Sequence, residues 1–181
     1  MAFKLIELAG VDGSGKTSLA ERLAFLAEGI HYPCPPKPIK QIREELRTFG
    51  PEAMFHYYLM GNYISAQEIP PFLETRPLFA DPYISATRAF GLANFGDDQG
   101  YSPGLLLPDK IIYLTASWEE IERRLQERGE KRKAHENLPY LREYAAACDL
   151  IFSGRKDVLR VDTTNRRVED VADELFLRLE L

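Results

Sequence analysis

Residues 10–17 read GVDGSGKT and fit the pattern G-x-x-x-x-G-K-[ST], the phosphate-binding loop of many nucleotide-dependent enzymes. Glycines let the backbone turn so tightly that successive N–H groups converge on one anion, and the helix that follows adds free donors and a positive dipole end. Lys16 is predicted to reach the outer phosphates and the Thr17 hydroxyl to hold Mg²⁺. The predicted nucleotide-binding residues are Gly10, Asp12, Gly13, Ser14, Gly15, Lys16, Thr17 and Ser18.

The elements on either side of this loop are those that the motif requires. Residues 3–8 (FKLIEL) predict a buried strand, and residues 18–27 (SLAERLAFLA) predict a helix with an apolar stripe. Similar patterns alternate about five times along the chain, which predicts a parallel sheet with helices on both faces and right-handed crossovers. Further strands are predicted at 30–33, 76–81, 110–115, 149–152 and 159–162, and helices at 39–49, 52–69 (ended by Pro70-Pro71), 83–92, 118–128 (with a Ser117–Glu120 capping box), 137–147 and 167–179.

Composition narrows the class of protein. The 181 residues are 45% hydrophobic and 28% charged, which suits one globular domain over 1–181, and the net charge of −5 argues against nucleic-acid binding by bulk charge. No apolar run approaches the ~20 residues of a membrane span, and no secretory leader pattern precedes the first strand. Cys34 and Cys148 lack metal-site spacing, which predicts reduced thiols in a cytoplasmic protein.

Two further features have alternative interpretations. Asp81 ends a predicted strand, where it can either hold Mg²⁺ opposite the phosphate loop or cap the helix that begins near Tyr83. The basic segment 123–136 can be a solvated surface, because acids are interspersed in it, or a lid whose arginines clamp ATP phosphates. We favour the metal role for Asp81 and the lid for 123–136.

Several motifs occur in a fixed order along the chain. GVDGSGKT is followed by YP at 32–33, IREEL at 42–46, DPYI at 81–84, PDKIIYL at 108–114 and then the basic segment. Over nearly its whole length the chain thus resembles the thymidylate kinase family. The resemblance implies a P-loop NTPase fold, three-layer α/β/α with a five-stranded parallel sheet and a small basic lid. It also implies ATP and Mg²⁺ as cofactors, a small-molecule acceptor, and a homodimer formed through helices such as 52–69.

The resemblance also implies roles for individual residues. Asp12 would lie near the acceptor and the reacting phosphates, and Arg43 of IREEL would help to bind the acceptor phosphate. Tyr32 and Tyr83 occupy the aromatic positions of the family's F-P and D-R-Y elements. Lys16, Asp12, Arg128 and Arg132 are therefore the predicted catalytic residues, and Arg124 joins the ATP site.

The acceptor motifs depart from the family's pattern. The arginine of D-R-Y, which would grip the acceptor phosphate, is Pro82, and the Phe-x-x-x-Arg pair that would read thymine is Leu59 and Tyr63. Our hypothesis is that Arg88, on the same helix, supplies the missing guanidinium. The predicted substrate-binding residues are Tyr32, Arg43, Tyr63, Tyr83 and Arg88.

Three functions follow from these patterns. The leading one is an ATP-dependent nucleoside monophosphate kinase that resembles thymidylate kinase and converts dTMP to dTDP. The first alternative is a kinase of the same fold with a neutral acceptor such as a deoxynucleoside, and Pro82 favours it. The second is a protein that binds ATP without efficient transfer. A GTPase is disfavoured, because the D-x-x-G match at 97–100 follows no strand and no N-K-x-D motif occurs.

Overall fold

A five-stranded parallel sheet forms the centre of the protein. The computed structural model describes residues 4–98, 103–128 and 137–180, and its strand order is β2-β3-β1-β4-β5. In the central strand, Ile6 is in register with Phe79, and Glu7 with Ile111. The predicted five-stranded parallel α/β sheet is confirmed. The strands are β1 (Leu5–Ala9), β2 (Ile30–Pro33), β3 (Leu78–Asp81), β4 (Lys110–Thr115) and β5 (Val158–Asp162).

Helices cover both faces of the sheet, because alternate residues of β1 point to opposite sides. Ile6 and Leu8 pack in one core cluster with Leu175, whereas Leu5 packs on the other side with Ile69. Among the described residues, no helix has both the length and the apolar character needed to cross a membrane. The helices are α1 (Lys16–Leu26), α2 (Lys37–Lys40), α3 (Arg43–Arg47), α4 (Pro51–Leu73), α5 (Ile84–Phe95), α6 (Trp118–Glu127), α7 (Leu138–Phe152) and α8 (Val168–Leu179).

The strand predicted at 149–152 is wrong, because α7 continues through Phe152. A short apolar run does not by itself distinguish a strand from the end of a buried helix. Cys148, Ile151 and Phe152 are all buried, and this spacing of three and four residues places them on one helical face. The Phe152 ring lies 4.8 Å from that of Tyr113 on β4, so packing against the sheet decides the conformation.

Two other helix boundaries also differ from expectation. The helix predicted at 39–49 is divided into α2 and α3, because Ile39 is buried whereas Ile42 is exposed and provides no continuous apolar face. Pro70-Pro71 does not end α4, which continues to Leu73. Proline removes amide donors and costs helix stability, but buried Ile69 and Leu73 hold this last stretch against the sheet.

The predicted capping box at α6 is only half formed. The Ser117 hydroxyl accepts a hydrogen bond from the Glu120 amide at 3.2 Å, as an N-cap residue should. The Glu120 carboxylate instead accepts hydrogen bonds from Arg123 and Arg124. The hydrogen bond from Arg123 and the two positive charges lower the pKa of Glu120 to about 2.

Candidate functional site

The carboxyl ends of β1, β2 and β3 open into a cavity of about 440 Å³. In a parallel sheet all these ends lie at one edge, which is where such folds bind ligands. The phosphate loop lines one part of the cavity, and aromatic and polar side chains from α4, α5 and α7 line the rest. The loop residues that line it are Gly10, Asp12, Gly13, Gly15, Lys16 and Thr17.

The phosphate loop has the geometry of an anion site. Gly15 adopts the left-handed conformation at the N-cap of α1, which has no side-chain cap, so the first amides of the helix are left for a ligand. Lys16 Nζ donates to the Val11 carbonyl at 3.0 Å and lies 3.5 Å from Asp12 Oδ1. The loop therefore holds a lysine and open helix amides beside the cavity.

Gly10 is fixed by a close contact between the loop and β4. A Cβ at this position would lie 2.4 Å from the Leu114 carbonyl oxygen, and its φ of +136° disfavours any L side chain. We expect Gly10→Ala to lower the free energy of unfolding by about 3 kcal/mol, which is a fall in Tm of roughly 6–12 °C for a chain of this size. Thermal denaturation measures this shift.

The matched control is Gly154→Ala. Gly154 also has a positive φ, of +70°, but a Cβ there would meet nothing within 4 Å. Backbone strain alone should then cost about 1 kcal/mol. Equal losses in the two variants would show that contact with β4 does not constrain the loop.

Asp81 lies at the carboxyl end of β3 and lines the cavity together with Thr17. It is buried, its Oδ1 has no hydrogen-bond partner among the described residues, and its Oδ2 is 3.6 Å from His31 Nε2. The alternative role of helix cap is wrong, because α5 has no side-chain cap from this residue. A buried carboxylate oxygen without a partner suits a hard cation.

Glu7 performs the capping role instead. This carboxylate is fully buried in β1 and accepts hydrogen bonds from the Tyr83 amide at 3.2 Å, the Ser85 amide at 2.8 Å and the Ser85 hydroxyl at 3.1 Å. Burial raises its pKa to about 7, against the effect of these hydrogen bonds. Glu7 thus joins the central strand to the turn that follows Asp81. An acid within a buried strand is the sequence signal that marks this residue.

The rest of the cavity is an aromatic region formed mainly by α3, α4 and α5. Tyr57 and Tyr58 are adjacent there, with ring centroids 5.4 Å apart, and Phe90 lies 5.3 Å from Tyr58. Arg43 stacks over Tyr58 and donates to its hydroxyl at 3.4 Å. The Asn62 amide nitrogen donates to Thr87 Oγ1 at 2.9 Å. We define the aromatic region as Arg43, Tyr57, Tyr58, Asn62, Thr87 and Phe90, all of which line the cavity.

The sequence-predicted substrate residues divide into two groups. Arg43 and Tyr83 line the cavity, whereas Tyr32, Tyr63 and Arg88 are not among the lining residues. The Tyr32 hydroxyl instead donates to Glu68 at 2.6 Å. Tyr63 is 39% exposed, with its hydroxyl 3.5 Å from the Pro103 carbonyl.

Arg88 forms a bidentate pair with Asp98 and does not line the cavity.

On α4, Tyr58 and Asn62 line the cavity, each one position before Leu59 and Tyr63, the residues that the motif comparison had indicated. Sequence motifs did not identify this pair, because a shift of one residue on a helix changes the exposed face by about 100°.

The predicted lid arginines also lie in different places. Arg128 lines the cavity, whereas Arg124 supports the phosphate loop from α6. The Arg124 guanidinium donates to the Gly13 carbonyl at 3.2 Å and to the Thr163 carbonyl at 2.7 Å. Arg132 and the rest of the predicted lid at 129–136 lie outside the described residues. Ser14 and Ser18 are likewise not among the cavity-lining residues, and Ser14 is fully buried.

Thr163 is a loop-supporting residue that sequence reasoning missed. It follows β5, is buried, and its hydroxyl lies 3.1 Å from the Ser14 carbonyl and 3.1 Å from that of Thr115. Arg124 contacts the same hydroxyl at 3.0 Å. Residues from β4, α6 and the segment after β5 thus hold the phosphate loop in place.

Comparisons with known proteins agree with this architecture. No protein-family model matches the chain. It is 27% identical over 190 residues to a "Probable thymidylate kinase" of Methanococcus aeolicus, with 97% of this chain and 95% of that protein covered. It is 30% identical over 146 residues to human "UMP-CMP kinase 2, mitochondrial", which matches 74% of this chain but only 32% of that longer protein.

Among solved structures, a thymidylate kinase from Candida albicans superposes with a TM-score of 0.82 at 20% identity, over 99% of this chain and 92% of that one. This similarity extends over the whole sheet and its helices, and it agrees with the full-length match to the archaeal protein. The chain is therefore similar to thymidylate kinases over nearly its whole length and has the same P-loop NTPase fold as the Candida albicans structure.

Proposed function

We propose that this protein is a nucleotide kinase that transfers a phosphoryl group from ATP to a nucleoside monophosphate, as a thymidylate kinase converts dTMP to dTDP. The observation that carries the proposal is the continuity of the cavity, because the phosphate loop and the aromatic region line the same space. A donor nucleotide on the loop and an acceptor nucleotide in the aromatic region would bring two phosphate groups together. The Methanococcus aeolicus and human relatives described above are both named as kinases of nucleoside monophosphates.

In this proposal the chain acts by positioning and by charge neutralisation, which supply most of the rate in phosphoryl transfer. The loop amides and Lys16 bind the donor phosphates and stabilise the charge that develops on the moving group. Asp12, beside Lys16 on the loop, orients the acceptor. Arg128, which lines the same cavity, supplies a guanidinium to the transferred phosphoryl.

The residues present also fit a magnesium ion. Thr17 and Asp81 offer hard oxygen atoms at one end of the cavity, and Asp81 Oδ1 has no other partner among the described residues. Mg²⁺ commonly takes one or two protein oxygens and completes its shell with water and substrate phosphates. Within residues 4–98, 103–128 and 137–180, no cluster of three or more His, Cys, Asp or Glu residues could hold a metal ion. A site with only two protein oxygens is compatible with that finding. Bound there, the ion would neutralise phosphate charge.

Pro82 favours a second candidate, a kinase of neutral deoxynucleosides, because a proline cannot bind an acceptor phosphate. An ADP-release assay with Mg-ATP distinguishes the two when dTMP, dCMP, dAMP and dGMP are each compared with the matching nucleoside. We expect turnover with at least one monophosphate. Turnover with nucleosides alone would establish the second candidate, and no acceptor-dependent turnover would leave an ATP-binding protein.

The proposal includes the remaining expectations from the sequence. The chain functions as one domain over 1–181, with a basic lid at about 123–136, in the cytoplasm and as a homodimer. Its acceptor is a small molecule rather than nucleic acid or a membrane. Size-exclusion chromatography with light scattering tests the dimer directly.

A further inference from the structure

The charges that line the cavity are unevenly distributed. Among the described lining residues, the acids are Asp12 and Asp81, and both lie with Lys16 at the phosphate-loop end. Near the aromatic region, two lining residues are cationic, Lys40 and Arg43. No carboxylate of the described residues forms an ion pair with Lys40. This part of the cavity therefore has a positive potential suited to an anion.

Packing fixes the place of Lys40 at the cavity. It is the last residue of α2, and Ile39 beside it is buried against Met54 and Tyr57 of α4. Gly61 permits this close approach, since a Cβ there would lie 2.9 Å from Pro35 and 3.4 Å from Ile39. Lys40 is thus held on a short segment that packs directly on α4.

Cys34 lines the cavity together with Lys40. Burial raises the pKa of the Cys34 thiol to about 12; the positive charge of Lys40 acts against this rise, and the negative charges of Glu7 and Glu68 add to it. The thiol in turn lies 3.4 Å from Ser65 Oγ and 3.8 Å from Asn62 Oδ1. Lys40 and Asn62 thus line the same cavity as this thiol, although the Lys40 side chain is exposed.

Arg43 completes the positive site three residues later. Its guanidinium is held by Tyr58, and its Nε is buried without a hydrogen-bond partner among the described residues. The Tyr57 hydroxyl is buried without a partner as well, and both residues line the cavity. Unsatisfied buried polar atoms are costly unless a ligand or water completes them. An anion with several oxygens would do so here.

We infer that Lys40, together with Arg43, binds the phosphate of the acceptor and replaces the guanidinium that Pro82 cannot supply. The inference rests on the proposed function and deepens it, because it makes Lys40 the residue that selects a monophosphate over a neutral nucleoside. Arg88 does not take this role, since it pairs with Asp98 and is not a lining residue.

The chain provides a matched control for the test. Lys37 and Lys40 lie on the same helix and are both exposed, but only Lys40 lines the cavity. Binding of dTMP, dCMP, dAMP and dGMP, each beside its nucleoside, is measured by isothermal titration calorimetry for wild type, Lys40→Ala and Lys37→Ala. Thermal denaturation checks that both variants are folded.

We expect Lys40→Ala to weaken binding of the preferred monophosphate roughly tenfold and to leave nucleoside binding unchanged. Lys37→Ala should alter neither. Equal monophosphate affinity in wild type and Lys40→Ala would overturn the inference, as would wild-type protein that binds a nucleoside as tightly as its monophosphate. Binding is measured without transfer, so a protein that depends on Lys40 to bind monophosphates but releases no ADP would contradict the proposed function and not this inference.

Discussion

Lys16→Met is expected to lower kcat for acceptor-dependent ADP release by roughly two to three orders of magnitude, the usual cost of removing one preorganised group that stabilises transition-state charge. Lys16 begins α1, lines the cavity, and is positioned by its hydrogen bond to the Val11 carbonyl. Methionine keeps most of the side-chain volume and removes the charge, so the effect should fall on chemistry far more than on folding.

The control for this experiment is Lys37→Met, the same substitution at an exposed lysine of α2 that does not line the cavity. It should retain wild-type kcat. Steady-state kinetics at saturating Mg-ATP measure both variants, and thermal denaturation should place each Tm within a few degrees of wild type. A Lys16→Met protein that is folded and fully active would show that the loop does not hold the reacting phosphates.

The fold was predictable because its signals are local and redundant. GVDGSGKT follows a five-residue buried strand and ends in the first turn of a helix, and each feature supports the others. The errors occurred where tertiary packing overrides local sequence. The pattern of residues 149–152 is compatible with either a strand or a helix. Packing of Phe152 against Tyr113 of the sheet accompanies the helical conformation.

The candidate site was predictable at its phosphate end and much less so in the aromatic region. The loop is one contiguous segment, so its spacing determines which residues are brought together. The aromatic region combines side chains from three helices, and its composition depends on how α4 is rotated about its axis. That rotation places Tyr58 and Asn62 on the cavity instead of Leu59 and Tyr63. Pairings across the chain, such as Arg88 with Asp98, were likewise not evident from motifs.

Glu7→Gln is expected to remove a large pH dependence from the stability of the protein. Burial raises the pKa of Glu7 from 4.5 to about 7 in the folded state. A proton therefore binds the folded protein more tightly than the unfolded chain. The stability from this proton is fully present below pH 4.5 and is lost as the pH rises through 7, by about 3 kcal/mol in total.

Glutamine resembles the protonated carboxyl, since its oxygen can accept from the Tyr83 and Ser85 amides and its nitrogen can donate to the Ser85 hydroxyl. Urea unfolding at intervals from pH 4 to pH 8 should thus show the variant gaining stability relative to wild type as the pH rises, by about 3 kcal/mol over this range. Glu143→Gln, which removes an exposed carboxyl of α7, controls for the loss of one negative charge. Parallel curves for Glu7→Gln and wild type would mean that the three hydrogen bonds offset burial and leave the pKa of Glu7 near 4.5 in the folded state. In that case the turn after Asp81 is held by a charged cap at neutral pH, and burial in β1 does not keep a proton on Glu7 there.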